Sequence, residues 1–169
     1  HIIIDGGSTD NTIPILKKYE HLKWVSERDK GQADALNKGL FMATGDIIGW
    51  INSDDYYENN ALHEAAAIFN NGEINWVIGN ITNLYSDTGE CVPQKSPRVT
   101  YHALIKNPDI VRQQAAFFRK SAIEMVGGWN AGFYMVMDYD LWFRMARFSD
   151  PVMINKNWAY YRIHGDQKS

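Results

Sequence analysis

Two adjacent carboxylates, Asp54 and Asp55, directly follow an apolar run at 47–51 and the polar pair Asn52 and Ser53. Neighbouring carboxylates repel each other and are costly to desolvate unless a cation joins them. Hard oxygen ligands without cysteine favour Mg²⁺ or Mn²⁺ over zinc, and these ions keep positions open for substrate phosphates. We therefore predict a divalent cation on Asp54 and Asp55. The alternative is a solvated turn in which Asp55 caps the next helix.

A second acidic segment, 5–10, begins where the first apolar run ends at Asp5. Its aspartates and glycines also suggest a calcium loop. An EF-hand loop starting at Asp5 would need oxygen ligands at its third and fifth positions and a glutamate at its twelfth. Gly7, Thr9 and Leu16 occupy those positions, so the calcium reading fits poorly.

Apolar runs alternate with helical patterns along the chain, which predicts an α/β fold with a mostly parallel central sheet and helices on both faces. Ligands of such sheets bind at the carboxyl ends of the strands, where both acidic segments lie. The length of 169 residues fits one domain. The predicted strands are 2–4, 24–26, 46–51, 76–85, 115–118 and 152–154, and the main predicted helices are 33–43, 61–69, 121–126 and 138–148. Residues 87–108 are predicted to be loop-rich, with one short helix at 101–105.

Three motifs then occur in a fixed order: Asp-Gly-Gly-Ser-Thr-Asp at 5–10, Asp-Lys-Gly-Gln with Ala-Leu-Asn-Lys-Gly at 29–39, and Gly-Asp-Ile-Ile-Gly-Trp-Ile-Asn-Ser-Asp-Asp at 45–55. Their types, order and spacing resemble the nucleotide-binding half of family 2 glycosyltransferases. The resemblance implies the Rossmann-like GT-A fold.

The same resemblance implies roles for individual donor-side residues. Asp5 would hydrogen-bond the nucleotide base, and the segment with Asp29, Lys30 and Gln32 would lie near the base and the diphosphate. Asp54 would hold a metal that bridges both phosphates, with Asp55 beside it.

Asn52 stands where the family motif usually has Asp. Its carbonyl could still accept a hydrogen bond from a ribose hydroxyl or coordinate weakly, and Ser53 would also face the donor. We therefore expect an altered donor affinity rather than a loss of function.

The second half of the chain supplies the acceptor side of this resemblance. Asp138 matches the aspartate of an acidic pair that provides the catalytic base at the start of a helix, while Met137 replaces the glutamate. The alternative is that Asp138 is only a helix cap. Arg162 and His164 resemble the Arg-x-His segment that closes over the donor, so Arg162 would pair with phosphate and His164 would ligate the metal or touch the diphosphate. The segment 113–114 would flank the acceptor pocket.

The implied enzyme is a metal-dependent inverting glycosyltransferase that uses Mg²⁺ or Mn²⁺. Its donor would be a nucleotide diphosphate sugar, with UDP as first choice, and its acceptor a carbohydrate or a lipid-linked hydroxyl in polysaccharide or glycoconjugate assembly. Residues 1–85 would form the nucleotide-sugar-binding half and residues 86–169 the acceptor-side half of one domain. The alternatives are an enzyme like the sugar-nucleotide pyrophosphorylases and a non-catalytic nucleotide-sugar-binding fragment.

Relative to that family, the chain lacks the first strand and helix. We therefore expect a truncated domain with an unpaired sheet edge, low stability or self-association.

Composition excludes several other classes of function. The net charge of −3 provides no basic field for nucleic acid. The single cysteine, Cys91, excludes a disulfide framework and a cysteine-rich zinc site. No apolar run approaches the roughly 20 residues that span a bilayer. These features predict a cytoplasmic protein without a transmembrane segment, with peripheral association at the inner face of the cell membrane left open.

Overall fold

Residues 1–165 and 167, the part of the chain that the computed structural model describes, contain eight strands, six α-helices and two 3₁₀ turns. The strands are β1 (Ile2–Asp5), β2 (Lys23–Ser26), β3 (Ile47–Gly49), β4 (Tyr56–Tyr57), β5 (Trp76–Tyr85), β6 (Cys91–Gln94), β7 (Ala116–Arg119) and β8 (Val152–Ile163). The helices are α1 (Thr12–Leu16), α2 (Gln32–Met42), α3 (Ala61–Phe69), α4 (Tyr101–Lys106), α5 (Lys120–Met125) and α6 (Met137–Phe148). Two 3₁₀ turns cover Pro108–Ile110 and Gln113–Ala115.

The strands form two sheets rather than one. β1 and β2 form a parallel pair, and the larger sheet has the order β3-β7-β5-β8-β4, with β6 added to β5. Within the larger sheet only β5 and β8 run parallel, so the prediction of a mostly parallel sheet was wrong. The hairpin from β5 to β6 shows the cause, because so short a connection can join only antiparallel strands.

Helices cover both faces of the larger sheet, as predicted. On β5, Trp76 and Ile78 point to one face and join a core with residues of α2, α5 and α6. Val77 and Ile81 point to the other face and pack with α3. Each fully buried large apolar side chain stabilises the fold by roughly 1.5–3 kcal/mol. The alternation along β5 therefore divides the apolar core between the two faces of the sheet.

An aromatic stack lies directly below the acidic segment that follows β3. The ring of Trp50 stacks on Phe118 and on Trp142, with centroid distances of 5.8 and 5.4 Å. Gly49 precedes Trp50, and a Cβ at Gly49 would lie 2.6 Å from the ring of Phe117. Close packing against this core therefore fixes the point at which the chain leaves β3.

β8 is the element whose extent the sequence misjudged most. Only residues 152–154 were predicted as strand, whereas β8 continues to Ile163 alongside β5, with a register shift near Asn80. The parallel ladder on β5 supplies hydrogen-bond partners that local sequence does not reveal. β8 thereby carries Arg162, and His164 just after it, back to the acidic segment. The last part of the predicted tail, Asp166, Lys168 and Ser169, lies outside the described residues.

Among the described residues, no helix is both long and apolar enough to cross a membrane.

Candidate active site

The loop between β3 and β4, residues 50–55, is named here the acidic loop. It brings Asp54 next to a histidine from the far end of the chain, since His164 Nε2 lies 3.2 Å from Asp54 Oδ2. Both side chains are partly buried. A carboxylate and an imidazole at this distance form a pair that can donate two ligands to one cation.

The second aspartate of the loop is held differently. Asp55 is buried, and its Oδ1 accepts a hydrogen bond from the backbone N–H of Arg162 at 2.8 Å. Its Oδ2 accepts one from Gln114 Nε2 at 3.2 Å. Burial raises the pKa of the Asp55 carboxyl, and the two hydrogen bonds oppose that rise. Both carboxylate oxygens of Asp55 therefore already bond to protein donors.

Asn52 lies at the edge of a cavity of about 160 Å³ that also contains Gln32 and Asp138. Gln32, the first residue of α2, donates from Nε2 to Asn52 Oδ1 at 2.9 Å. Gln113 lines the same cavity and donates from Nε2 to the carbonyl oxygen of Trp50 at 2.9 Å. The cavity thus joins donor-side and acceptor-side candidates, although they are far apart in sequence.

Asp138 lies in the first turn of α6. Burial raises the pKa of its carboxyl, while the backbone N–H of Tyr139, at 2.9 Å from Asp138 Oδ1, opposes the rise. Two residues on, Asp140 instead pairs with Arg144 at 2.6 Å. Asp138 is therefore the acid of this turn that lines the cavity, and a raised pKa suits a group that must take a proton.

Asp5 is buried at the end of β1 and organises the loop that follows. Its carboxylate accepts hydrogen bonds from the backbone N–H groups of Gly7 and Ser8 at 3.1 and 2.9 Å, and from Ser26 Oγ at 2.6 Å. It also accepts one from the hydroxyl of Ser8. The Ser26 and Ser8 hydroxyls lower the pKa of Asp5 to about 2. Ser26 was not singled out from the sequence, because a serine at a strand end carries no signal of its own.

Asp29 and Lys30 lie between β2 and α2. Asp29 Oδ1 accepts from the backbone N–H of Gly31 at 2.9 Å, and the backbone N–H of Lys30 donates to Asp34 Oδ2 at 3.0 Å. Asp29 Oδ2 would be only 3.1 Å from a Cβ at Gly6. The glycine therefore allows the two donor-side loops to approach each other closely.

The structure brings the predicted site residues into three groups. Asp54, Asp55, Arg162 and His164 meet where β8 passes the acidic loop; Gln32, Asn52 and Asp138 line the cavity; Asp5 and Asp29 flank Gly6. The guanidinium of Arg162 lies over the ring of Tyr56, 5.9 Å from its centroid, and Ser53 is exposed. The roles of these residues stay predictions.

The donor atoms present suit Mn²⁺ or Mg²⁺. In the part of the chain that the structure describes, no group of three or more His, Cys, Asp or Glu side chains is placed to hold a metal ion. Asp54 and His164 could supply two ligands, and ions of this kind usually complete their shell with water and substrate phosphates. This donor set fits a cation that arrives with a diphosphate better than one permanently enclosed by protein.

The sequence profile of the family described as Glycosyl transferase family 2 matches residues 1–146. The chain belongs to glycosyl transferase family 2. This family 2 chain is 29% identical over 162 residues to an uncharacterised glycosyltransferase of Mycobacterium tuberculosis strain H37Rv, covering 91% of this chain and 60% of the relative. It therefore spans about three-fifths of the length of that curated relative.

Solved structures confirm the GT-A fold of this family 2 chain. Staphylococcus aureus TarS 1-349 in complex with UDP superposes with a TM-score of 0.75 at 19% identity, covering 96% of this chain and 50% of that one. The mannosyltransferase PcManGT from Pyrobaculum calidifontis, in complex with GDP-Man and Mn²⁺, superposes with a TM-score of 0.64 at 19% identity, covering 92% and 45%. At these identities the likeness concerns the fold alone.

Proposed function

We propose that the protein is a metal-dependent, inverting glycosyltransferase that moves a sugar from a nucleotide diphosphate to an acceptor hydroxyl. The observation that carries the proposal is the 3.2 Å approach of His164 to Asp54 in a family 2 chain. The two residues are distant in sequence, and they meet at a partly exposed position where both can ligate one cation.

Asp138 is the proposed general base. In its ionised form the carboxylate takes the proton of the acceptor hydroxyl while the acceptor oxygen forms a bond to the anomeric carbon. The bond from that carbon to the β-phosphate oxygen breaks, and the nucleotide diphosphate leaves with the electron pair. Attack from the face opposite the leaving group inverts the configuration at the anomeric carbon.

Asp54 and His164 would hold the cation beside the leaving group, with Asp55 behind them and Arg162 close by. When bound, the cation neutralises charge that develops on the departing diphosphate. Gln32 and Asn52 line the cavity with Asp138, and Asp5, Asp29, Lys30 and Ser53 are proposed to contact the nucleotide.

UDP is the proposed nucleotide, because TarS is described in complex with UDP; PcManGT, with GDP-Man, makes GDP the comparison to test. The family match favours sugar transfer over a pyrophosphorylase reaction. The acceptor is proposed to be a carbohydrate or a lipid-linked hydroxyl. A cytoplasmic location, with contact to the inner face of the membrane, stays a prediction from the sequence.

Calorimetric titration with UDP and GDP, each with and without Mn²⁺, tests the proposal. We expect one nucleotide to bind at least about tenfold more tightly when Mn²⁺ is present, because a cation held by Asp54 and His164 would neutralise phosphate charge. Equal binding with and without Mn²⁺ would remove the metal from the mechanism. Binding without any transfer or donor hydrolysis would favour the non-catalytic alternative.

A further inference from the structure

We infer that Asp55 is a positioning residue rather than a metal ligand, and that with Gln113 and Gln114 it clamps the acidic loop so that Asp54 faces His164. The part of the inference that concerns metal ligation rests on the proposed function. The hydrogen bonds of the clamp exist without a metal and can be tested in the metal-free protein.

The first part of the clamp is the bond from Asp55 to β8. Tyr56 of β4 pairs with Tyr160 of β8, and continuing that antiparallel register would set Asp54 opposite Arg162. The main chain leaves the ladder before that point. The carboxylate of Asp55 then accepts the Arg162 N–H at 2.8 Å in place of a backbone carbonyl. One side chain thus extends the strand pairing towards His164.

The second part is a pair of adjacent glutamines on the 3₁₀ turn before β7. Gln113 donates to the carbonyl oxygen of Trp50 at 2.9 Å, at the start of the acidic loop. Gln114, which is 8% exposed, donates to Asp55 Oδ2 at 3.2 Å, at its end. The backbone N–H of Asp55 also donates to the carbonyl oxygen of Asn52 at 3.1 Å. Both ends of the loop are therefore fixed by one dipeptide.

The chemistry of the clamp argues against direct metal ligation by Asp55. Each of its oxygens already accepts a hydrogen bond, and the side chain lies under the loop rather than at its surface, with 9% exposed. The donors that hold it are a backbone N–H and an amide, neither of which carries charge. The clamp therefore depends on hydrogen-bond geometry rather than on the charge of Asp55, so an amide at this position can replace the carboxylate.

The test compares metal-free hydrogen exchange of the Arg162 amide with Mn²⁺-dependent UDP affinity in the same variants. In Asp55→Asn, the Asn oxygen still accepts the Arg162 N–H, and Gln114 can turn its amide over to accept from the new NH₂ group. We expect exchange and affinity within about threefold of the parent protein. Asp55→Ala should speed Arg162 exchange by about tenfold or more and weaken the affinity by about 10- to 100-fold.

Exchanging the carboxylate of Asp55 with the amide of Gln114 keeps the inference testable if Asp55→Ala does not fold. Gln114→Glu alone places two carboxylates together, and their repulsion should break the hydrogen bond between Asp55 and the Arg162 N–H. Adding Asp55→Asn restores an amide–carboxylate pair with the parent's net charge, so the double variant should recover slow exchange and affinity. Loss of affinity in Asp55→Asn as severe as in Asp54→Asn, or an Arg162 amide unaffected by Asp55→Ala, would overturn the inference. If the parent binds no nucleotide, the proposed function fails, and the exchange data still decide the clamp.

Discussion

His164 Nε2 and Asp54 Oδ2 lie 3.2 Å apart although 110 residues separate them in the sequence. β8 accounts for this approach, because its pairing with β5 and β4 carries the end of the described chain back to the acidic loop. The candidate metal site is therefore a product of sheet topology, and changes to either residue should act on cation binding rather than on folding.

Asp54→Asn and His164→Ala should each weaken Mn²⁺-dependent UDP binding by about tenfold or more, since each removes one of the two proposed protein ligands. Calorimetry with UDP at fixed Mn²⁺ measures the effect. His102→Ala is the matched control, because His102 is exposed on α4. Unchanged affinity in both site variants would show that this pair does not hold the cation.

Asp138→Asn should lower kcat by about 10²- to 10⁴-fold, the usual contribution of a positioned proton acceptor. Its affinity for the nucleotide donor should stay near that of the parent protein, because the substitution keeps the shape of the side chain. Steady-state kinetics with a donor-binding titration separates the two effects. Transfer at the parent rate would exclude Asp138 as the base.

For Asp138→Asn we expect a gain in stability at neutral pH, in contrast to the loss of activity. Burial raises the pKa of Asp138 above its ordinary value of 3.8, so the folded protein binds this proton more tightly than the unfolded chain. The carboxyl therefore stabilises the fold below pH 3.8, and this contribution is lost as pH rises through the folded-state pKa. Asp138→Asn should then raise the free energy of unfolding at neutral pH and lose that advantage near about pH 3.

Urea unfolding at both pH values measures this, with Asp140→Asn as control. Asp140 pairs with Arg144 at 2.6 Å, so its substitution should bring no gain in stability. A neutral-pH loss of stability in Asp138→Asn would contradict the burial argument. Activity should follow the same titration, with the rate falling as acid protonates the base.

Asp5 should behave in the opposite sense to Asp138. Its pKa is lowered to about 2, chiefly by the hydroxyl of Ser26, so its contribution to stability is present above pH 3.8 and is lost as pH falls towards 2. Ser26→Ala should cost on the order of 1 kcal/mol at neutral pH and less in acid. Ser121→Ala, at an exposed position of α5, is the control. An equal cost for Ser26→Ala at both pH values would contradict the assignment.

Gly49→Ala should destabilise the fold by about 1–3 kcal/mol, because the added methyl group would overlap a closely packed core. Its Cβ would lie 2.6 Å from ring atoms of Phe117 and 2.9 Å from the hydroxyl of Tyr57. At Gly45 the nearest atom, the carbonyl oxygen of Ile47, is 4.0 Å away, so Gly45→Ala is the matched control. Thermal unfolding compares the two, and equal midpoints would show that Phe117 yields to the methyl group.

Local pattern predicted the main helices and the strands β1, β2, β3, β5 and β7 to within a few residues, because each carries its own apolar pattern. α3 and β5 were found with their observed bounds of 61–69 and 76–85. β6 was missed, since its sequence contains Pro93 and its strand geometry depends on pairing with β5. The same reason applies to most of β8, whose extended form requires a partner strand.

Sequence patterns also predicted only part of the candidate site. Motif order predicted Asp54, Asp138 and His164 as candidates, and the structure places Asp54 against His164 and Asp138 in a cavity with Asn52. The hydrogen bonds that hold Asp55 could not be found from the sequence. Arg162 donates through its backbone N–H, a group that every residue type except proline has, so the residue type gives no signal. Gln114 was noted only as part of a flanking segment.

The stacked rings of Trp50, Phe118 and Trp142 lie next to the acidic loop and should report on it spectroscopically. The indoles of Trp50 and Trp142 lie 5.4 Å apart and within 17° of parallel, close enough for their electronic transitions to couple and to produce a distinct near-ultraviolet circular dichroism signal. Because Trp50 also lines the cavity with Asn52 and Asp138, a ligand in that cavity should alter the signal. Ligand entry could then be followed in unlabelled protein.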